Sequence, residues 1–371
     1  MSLTIILASI LKPVDDVRLY HKIGQSLAKA HPQDQFHFIG FRPKQTPLNL
    51  AHNVHLHPLY HFKRLSWRRI GAGIRFFRKL WRLKPDIVVV ATFELLFPAF
   101  VYSWFRKVKL VYDVQENYAR NVRYTQVFPW VLRLPLALGI RSIERLVHWR
   151  IEHYLLAENC YAQEMPFLQG KSTIIANKIN LWVEGAPLSR TKGLLVYSGT
   201  VSGAYGVFRA IDWAAKLHQQ QPHICLLIVG HCPQAHELQK LQQLAEKHAF
   251  IRLEISQTPV PHEKIIHWLQ QAQFALLPYQ INRSVKNRIP TKFYECVALQ
   301  TPMLVQHNEA WEDFVTRYKA GVFVNFDNWA QAIQQWAVVN QQVFYQGITD
   351  VSGVYWADES IKLLDVWKQI R

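Results

Sequence analysis

Short apolar-rich runs recur along the chain, several of them continuous, and most are followed by a segment with helical spacing. They lie at 3–10, 87–91, 110–112 and 153–157 in the first half, and at 194–197, 224–229, 251–255, 274–278 and 303–305 in the second. A strand that is apolar throughout is buried on both faces, as in a parallel sheet covered by helices. Parallel neighbours require a crossover, and residues 19–30, 207–217, 236–248 and 262–271 have the length and spacing of crossover helices. The pattern predicts an α/β protein. With 371 residues, two domains are expected. The loosened stretch 175–187, with Asn177, Asn180, Gly185 and Pro187, reads as the linker, which places the boundary near residue 180.

Half the residues are apolar and 13% are aromatic, a composition that excludes disorder. Cys160, Cys225, Cys232 and Cys296 show no Cys-x-x-Cys spacing, and no secretory leader precedes them, so a reduced cytoplasm is expected. The longest apolar stretch, 91–105, contains Glu94 and Pro98 and is shorter than the roughly 20 residues needed to cross a bilayer.

The net charge of +17 is unevenly placed. Residues 1–180 hold 26 Lys and Arg against 11 Asp and Glu, or +15, and the remaining 17 and 15 give only +2. A polycationic half seeks nucleic acid, an anionic membrane surface or phosphate-bearing substrates. No helix-turn-helix cue, zinc spacing or aromatic RNA-binding signature is present, so no nucleic-acid partner is expected and the membrane surface leads. Residues 64–84 support this with a basic amphipathic helix. Ile70, Ile74, Phe77 and Trp81 lie on one face, and Arg64, Arg68, Arg75, Arg78 and Arg82 on another. Near anionic lipid each arginine contributes about 1 kcal/mol. The helical stretch 128–150, interrupted by Pro135, extends the basic surface through Arg133, Arg141, Arg145 and Arg150.

The densest chemistry lies at 282–302. A loop carrying Arg283, Lys286, Arg288 and Lys292 feeds a short helix whose first turn accommodates Pro290, with Phe293 and Val297 on one face. A helix start between two strands is where an open α/β sheet holds a phosphorylated ligand. Glu295 is not suited to phosphate, but a carboxylate accepts two hydrogen bonds from the adjacent hydroxyls of a ribose. The combination points to a nucleotide, against the plain alternative of a helix-dipole acid beside a solvated basic loop. Gly199, Gly203 and Gly206 in a loop after the strand at 194–197 permit close backbone approach to phosphate. In the first half, Asp15, Asp16, Glu94, Asp113, Glu116 and Glu158 all fall just beyond expected strands, where carboxylates can bind the hydroxyls of a sugar. Singly, each is as well explained by a helix cap or ion pair.

Four motifs carry a family resemblance over nearly the whole chain. They are Asp-Asp-x-Arg-x-Tyr-x-Lys at 15–22, Tyr-Asp-Val-Gln-Glu-Asn-Tyr at 112–118, Tyr-Ser-Gly-Thr at 197–200 and Pro-Thr-Lys-Phe-Tyr-Glu at 290–295. With them the sequence resembles the GT-B-fold glycosyltransferases, most closely the retaining family 4 (glycosyl transferases group 1) enzymes that make bacterial surface sugars. The resemblance implies two Rossmann-like domains facing across a cleft. Residues 1–180 would hold the acceptor and 181–352 a nucleotide-sugar, most commonly a UDP-sugar, while 353–371, introduced by Tyr355 and Trp356, would cross back to the first domain.

Carried over by position, Glu295 resembles the ribose-binding glutamate, and Lys292 and Arg288 are the candidates for the diphosphate. Gly199, Thr200 and Ser202 would supply backbone donors to the diphosphate, and Asn287 and Tyr294 complete the donor-side set. Asp113 and Glu116 fall on the catalytic run, and Asp16, Arg18 and Glu94 on the acceptor side. Three positions depart from the pattern: Asn287 replaces a glutamate, Tyr205 replaces a lysine or arginine, and Gln115 replaces a histidine and cannot act as a base. No Asp-x-Asp triplet occurs, which fits a class that needs no metal and stabilises the leaving diphosphate with basic side chains and a helix terminus. The expected activity is retaining transfer from a nucleotide-sugar to a glycan or polyprenyl-linked acceptor at the inner face of the cell membrane, without a further cofactor. A nucleotide-sugar 2-epimerase of the same fold and a non-catalytic binding protein are the alternatives.

Overall fold

The computed structural model describes residues 2–371 apart from 44–49, 63–65, 67–68, 70, 126 and 181–188. Two compact units emerge: Met1–Asn180 with Trp356–Arg371, and Leu181–Tyr355.

The first unit runs β1 (Thr4–Pro13), a π-helical segment (Val17–Gly24) continuing into α1 (Gln25–Ala30), β2 (Gln35–Phe41), β3 (Val54–Tyr60), α2 (Ala72–Leu83), β4 (Ile87–Val90), α3 (Phe93–Phe105), β5 (Lys109–Val114), α4 (Tyr118–Tyr124), α5 (Trp130–Val147), β6 (Ile151–Leu156), α6 (Cys160–Glu164) and β7 (Ser172–Ile174). Its strands form one sheet in the order β3-β2-β1-β4-β5-β6-β7, parallel throughout. Alternation along β1 and β4 divides the core in two. Ile6, Ala8, Val88 and Val90 pack under α2, α3 and α5 with Phe76, Leu80, Leu95 and Phe100. Ile5, Leu7 and Val89 face the opposite layer with Leu19, Ile23 and Leu27.

The second unit runs β8 (Thr191–Thr200), α7 (Val207–Gln220), β9 (Cys225–His231), α8 (Ala235–Lys247), β10 (Ile251–Ser256), α9 (His262–Gln271), β11 (Ala272–Leu277), α10 (Thr291–Ala298), β12 (Met303–Gln306), α11 (Glu309–Arg317), β13 (Gly321–Val324) and α12 (Ala332–Val339). Its sheet order is β10-β9-β8-β11-β12-β13, again all parallel. The last helix, α13 (Trp356–Ile370), belongs to the first unit. Trp356, Leu363, Trp367 and Ile370 complete the core beside the π-helical segment and α1, and the Trp356 indole donates to Ser26 Oγ at 2.9 Å.

Several elements differ from the sequence reading. The helix expected from residue 19 starts at Val17, and its first eight residues are π-helical, capped by Asp16 Oδ1 accepting from the amides of Arg18 and Leu19 at 3.0 Å each. Pro135 lies inside α5 without ending it. Strand β8 continues through Thr200, beyond the expected loop start at Ser198. Arg64, Arg68 and Ile70 of the basic helix, and Gly185 and Pro187 of the linker, lie outside the described residues, and α2 is described from Ala72.

Candidate functional site

In an open parallel sheet, ligands bind beyond the carboxyl ends of two adjacent strands whose following connections leave in opposite directions. In the second unit those strands are β8 and β11, because β9 and β10 extend the sheet on one side of β8 and β12 and β13 extend it beyond β11. Three glycines keep backbone bare there. Gly199, at the end of β8, has φ +107°, and a Cβ on it would stand 3.2 Å from Lys292 Cε. Gly230 pairs with it across β9 at φ +148°, where a Cβ would fall 1.9 Å from the Gly199 carbonyl oxygen. Gly206, at φ +85°, lets α7 begin against the Pro278 carbonyl. The connecting loop is pinned from below by the Tyr197 hydroxyl, which donates to the carbonyls of Thr200 at 3.1 Å and Tyr205 at 3.3 Å. Thr200 is exposed and Ser202 buried. The Gly203 amide donates to Glu237 Oε1 at 2.8 Å, so one amide of the loop already has a carboxylate partner.

Helix α10 supplies the charged centre. Proline at its N-cap position starts the helix, Phe293 and Val297 face the core, and Lys292 and Glu295 share a turn on the side toward Gly199. Both are only 8% exposed. Lys292 Nζ is hydrogen-bonded to Glu295 Oε2, and His262, the first residue of α9, stands with Nε2 3.1 Å from Oε1. Burial alone raises the Glu295 pKa, but the Lys292 ammonium and the His262 contact outweigh it and hold the carboxyl at about 2. Each carboxylate oxygen keeps a further lone pair, enough for the two hydroxyls of a diol.

The basic loop ahead of α10 is tied to the start of α11. Asn308 Nδ2 donates to the Lys286 carbonyl at 2.7 Å, and the Trp311 indole donates to the Arg288 carbonyl at 2.6 Å. These bonds fix the backbone at Lys286 and Arg288 ahead of the helix, with Arg288 half-buried and Asn287 exposed on the turn. Tyr294 is half-buried with its ring edge-on to Phe314 at 5.3 Å. The second unit thus gathers Gly199, Lys292 and Glu295 at one strand edge. His262 was not singled out in the sequence, since nothing local marks a contact 33 residues away.

In the first unit the corresponding strands are β1 and β4. Here several of the expected residues pair with one another. Arg18 and Asp113 are 3% and 0% exposed and form one buried pair, with Nη2 2.7 Å and Nε 3.0 Å from Oδ1. Arg18 Nη1 donates to the Ile175 carbonyl at 2.8 Å, and Gln115 Nε2 donates to Asp113 Oδ2 at 2.9 Å. Arg18 and Asp113 thus satisfy each other away from solvent, tying the π-helical segment to the end of β5. Asp16 is the cap of the π-helical segment. Arg141, expected on the basic surface, is also taken inward. It bonds Glu144 Oε2 at 2.8 Å and Asn117 Oδ1 at 2.7 Å, while the Tyr112 hydroxyl donates to Glu144 Oε1 at 3.2 Å.

The other expected acids, Asp15, Asp16, Glu94, Glu116 and Glu158, stay partly accessible. Glu116 is half-buried and accepts from Asn121 Nδ2 at 2.8 Å. Glu94, in the first turn of α3, is paired with Arg69, yet its Oε2 is buried without a hydrogen bond. Burial raises the Glu94 pKa against the opposing pull of Arg69.

Residues 180–337 match the family model described as Glycosyl transferases group 1. No curated protein matches the chain in sequence at a significant level. Among solved structures, sucrose-phosphate synthase from Thermosynechococcus elongatus is 14% identical with a TM-score of 0.76, covering 99% of both chains. The catalytic domain of starch synthase IV from Arabidopsis thaliana, bound to ADP and acarbose, is 12% identical with a TM-score of 0.66, covering 100% of this chain and 99% of that one. A putative UDP-N-acetylglucosamine 2-epimerase from Listeria monocytogenes is 11% identical with a TM-score of 0.59, covering 99% and 96%. The chain has the GT-B fold, two Rossmann-like units, and its residues 180–337 carry the match to the Glycosyl transferases group 1 family.

Proposed function

We propose that the protein is a retaining glycosyltransferase that moves a sugar from a nucleotide-sugar, a UDP-sugar in the first instance, to a lipid-linked or cell-envelope glycan at the cytoplasmic surface of the membrane. The observation that carries this reading is the cluster at the switch point of the second unit. Glu295 is held ionised by Lys292 and His262, and the bare backbone of Gly199 lies against Lys292. In this reading the spare lone pairs of Glu295 accept the ribose hydroxyls. Lys292 and Arg288 hold the diphosphate, with the backbone of Gly199, Thr200 and Ser202 as further donors, and Asn287 and Tyr294 border the donor. Negative charge grows on the diphosphate oxygen as the glycosidic bond breaks, and the two cations stabilise it. That oxygen takes the acceptor proton on the face where the new bond forms, which retains configuration and asks no side chain to act as a base. Asp113 and Glu116 border the reacting centre in this reading, and Asp16, Arg18 and Glu94 are the candidates to bind the acceptor.

Transfer from a panel of nucleotide-sugars to polyprenyl-linked acceptors tests the reading, and turnover is expected to persist in a chelator. Arg288→Ala and Lys292→Ala should each lower turnover by more than about tenfold, or about 1.4 kcal/mol. Turnover within that factor in both variants contradicts the diphosphate assignment. An epimerised sugar formed from donor alone, without acceptor, would replace transfer with the epimerase reading.

A further inference from the structure

We propose that α5 is a bilayer-embedded anchor that inserts apolar side chains beneath the headgroups of an anionic membrane, in addition to the electrostatic contact made by the basic residues. The helix is apolar on both sides. Ala137, Ile140 and Val147 face the protein, while Val131, Leu134, Leu138 and Leu146 recur at helical spacing on the side away from it. These four and Trp130 are 48% to 79% exposed, values ordinary for charged side chains and anomalous for a contiguous apolar face. At the other end of the helix Trp149 is 58% exposed and packs its ring edge on Phe100 of α3, as does the exposed Trp104.

The occupant follows from shape and charge. Around the first turns of α5 the exposed apolar side chains point in nearly every direction not blocked by the protein, which suits a fluid that surrounds the helix better than a groove that grips one stripe. The three helices of this layer, α2, α3 and α5, present exposed Arg75, Arg78, Arg82 and Arg145. They present no free carboxylate. Helix α2 has no acid, Glu94 of α3 is paired with Arg69, and Glu144 of α5 is 1% exposed beneath Arg141. Cations beside apolar and indole side chains match the headgroup and acyl layers of one anionic leaflet. Eighteen residues with Arg133, Arg141, Glu144 and Arg145 among them do not span a bilayer, and among the described residues no helix is long and apolar enough to do so. The helix therefore lies in the interface.

The inference deepens the membrane-surface part of the proposed function, and its test does not require activity. Flotation of the full chain with phosphatidylcholine vesicles, with and without phosphatidylglycerol, is measured at low salt and at about 1 M salt, where headgroup attraction is screened. Wild type should bind the anionic vesicles and keep a salt-resistant bound fraction. The triple variant Trp130→Ser, Leu134→Ser, Leu138→Ser should partition at least about tenfold more weakly and be released by salt, with its melting temperature unchanged because these side chains are exposed. Brominated phosphatidylcholine should quench wild-type fluorescence more than that of Trp130→Phe. Complete salt release of wild type, equal quenching of the two proteins, or a wild-type dimer that the triple variant dissociates would overturn the proposal. The last of these would assign the face to a second copy of the chain. Vesicle binding that persists without any nucleotide binding would separate the failure of the donor-site reading from the failure of this one.

Discussion

His262 Nε2 lies 3.1 Å from Glu295 Oε1, joining the first residue of α9 to the second turn of α10 beside the end of β8. With Lys292 on the other oxygen, the carboxylate is fixed in one orientation and in one charge state. A free glutamate in a loop would have neither property.

The ionised state has a pH signature. The folded pKa of about 2 lies below the ordinary value of 4.5, so the stabilisation is fully present above about pH 4.5 and is lost as pH falls through about 2. Urea unfolding of wild type against Glu295→Gln should show a gap of about 3 kcal/mol near neutrality that narrows below about pH 4.5. A gap independent of pH from 7 to 3 would show that the carboxylate is not held this way.

The buried pair in the first unit should act on stability. Asp113→Ala leaves the Arg18 guanidinium 3% exposed and without its carboxylate, which costs about 3–5 kcal/mol in a buried setting. Denaturant unfolding reads this directly. A stable Asp113→Ala protein that loses only turnover would assign Asp113 to the reaction rather than to the framework.

Glycine 230 gives a backbone test. A methyl group there meets the Gly199 carbonyl oxygen at 1.9 Å with φ at +148°, so Gly230→Ala should cost about 3 kcal/mol or more and disturb the end of β8. Gly139→Ala, in α5 with nothing within 4 Å of the added methyl, should instead stabilise by about 0.5–1 kcal/mol. Melting curves of the two variants moving in the same direction would contradict the close approach at Gly230.

What the sequence made legible was what local pattern encodes. Continuous apolar runs marked β1, β4, β9, β11 and β12, and the proline and spacing at 290–297 marked α10. Strand β3 escaped because Pro58 and two histidines, His55 and His57, break its apolar character, and β7 and β13 because three or four residues carry no period. The charge pairings were hidden for a different reason. Arg18 and Asp113 are 95 residues apart and Arg141 and Asn117 are 24 apart, so only the fold shows that these groups satisfy each other inside the protein. The apolar outer face of α5 was visible as composition but was overshadowed by its arginines, because exposure is a property of the folded chain.

The claim on which the account turns is that Glu295 belongs to a nucleotide site. A thermal-shift panel with UDP, GDP, ADP, CMP and dTDP, run on wild type and Glu295→Gln, tests it most directly. A nucleotide present at about 100 times its dissociation constant stabilises the native state by about 2.7 kcal/mol. One nucleotide should raise the melting temperature of wild type, and the variant, whatever its own starting stability, should respond far less. No response in wild type to any of the five, or an equal response in the variant, would contradict it.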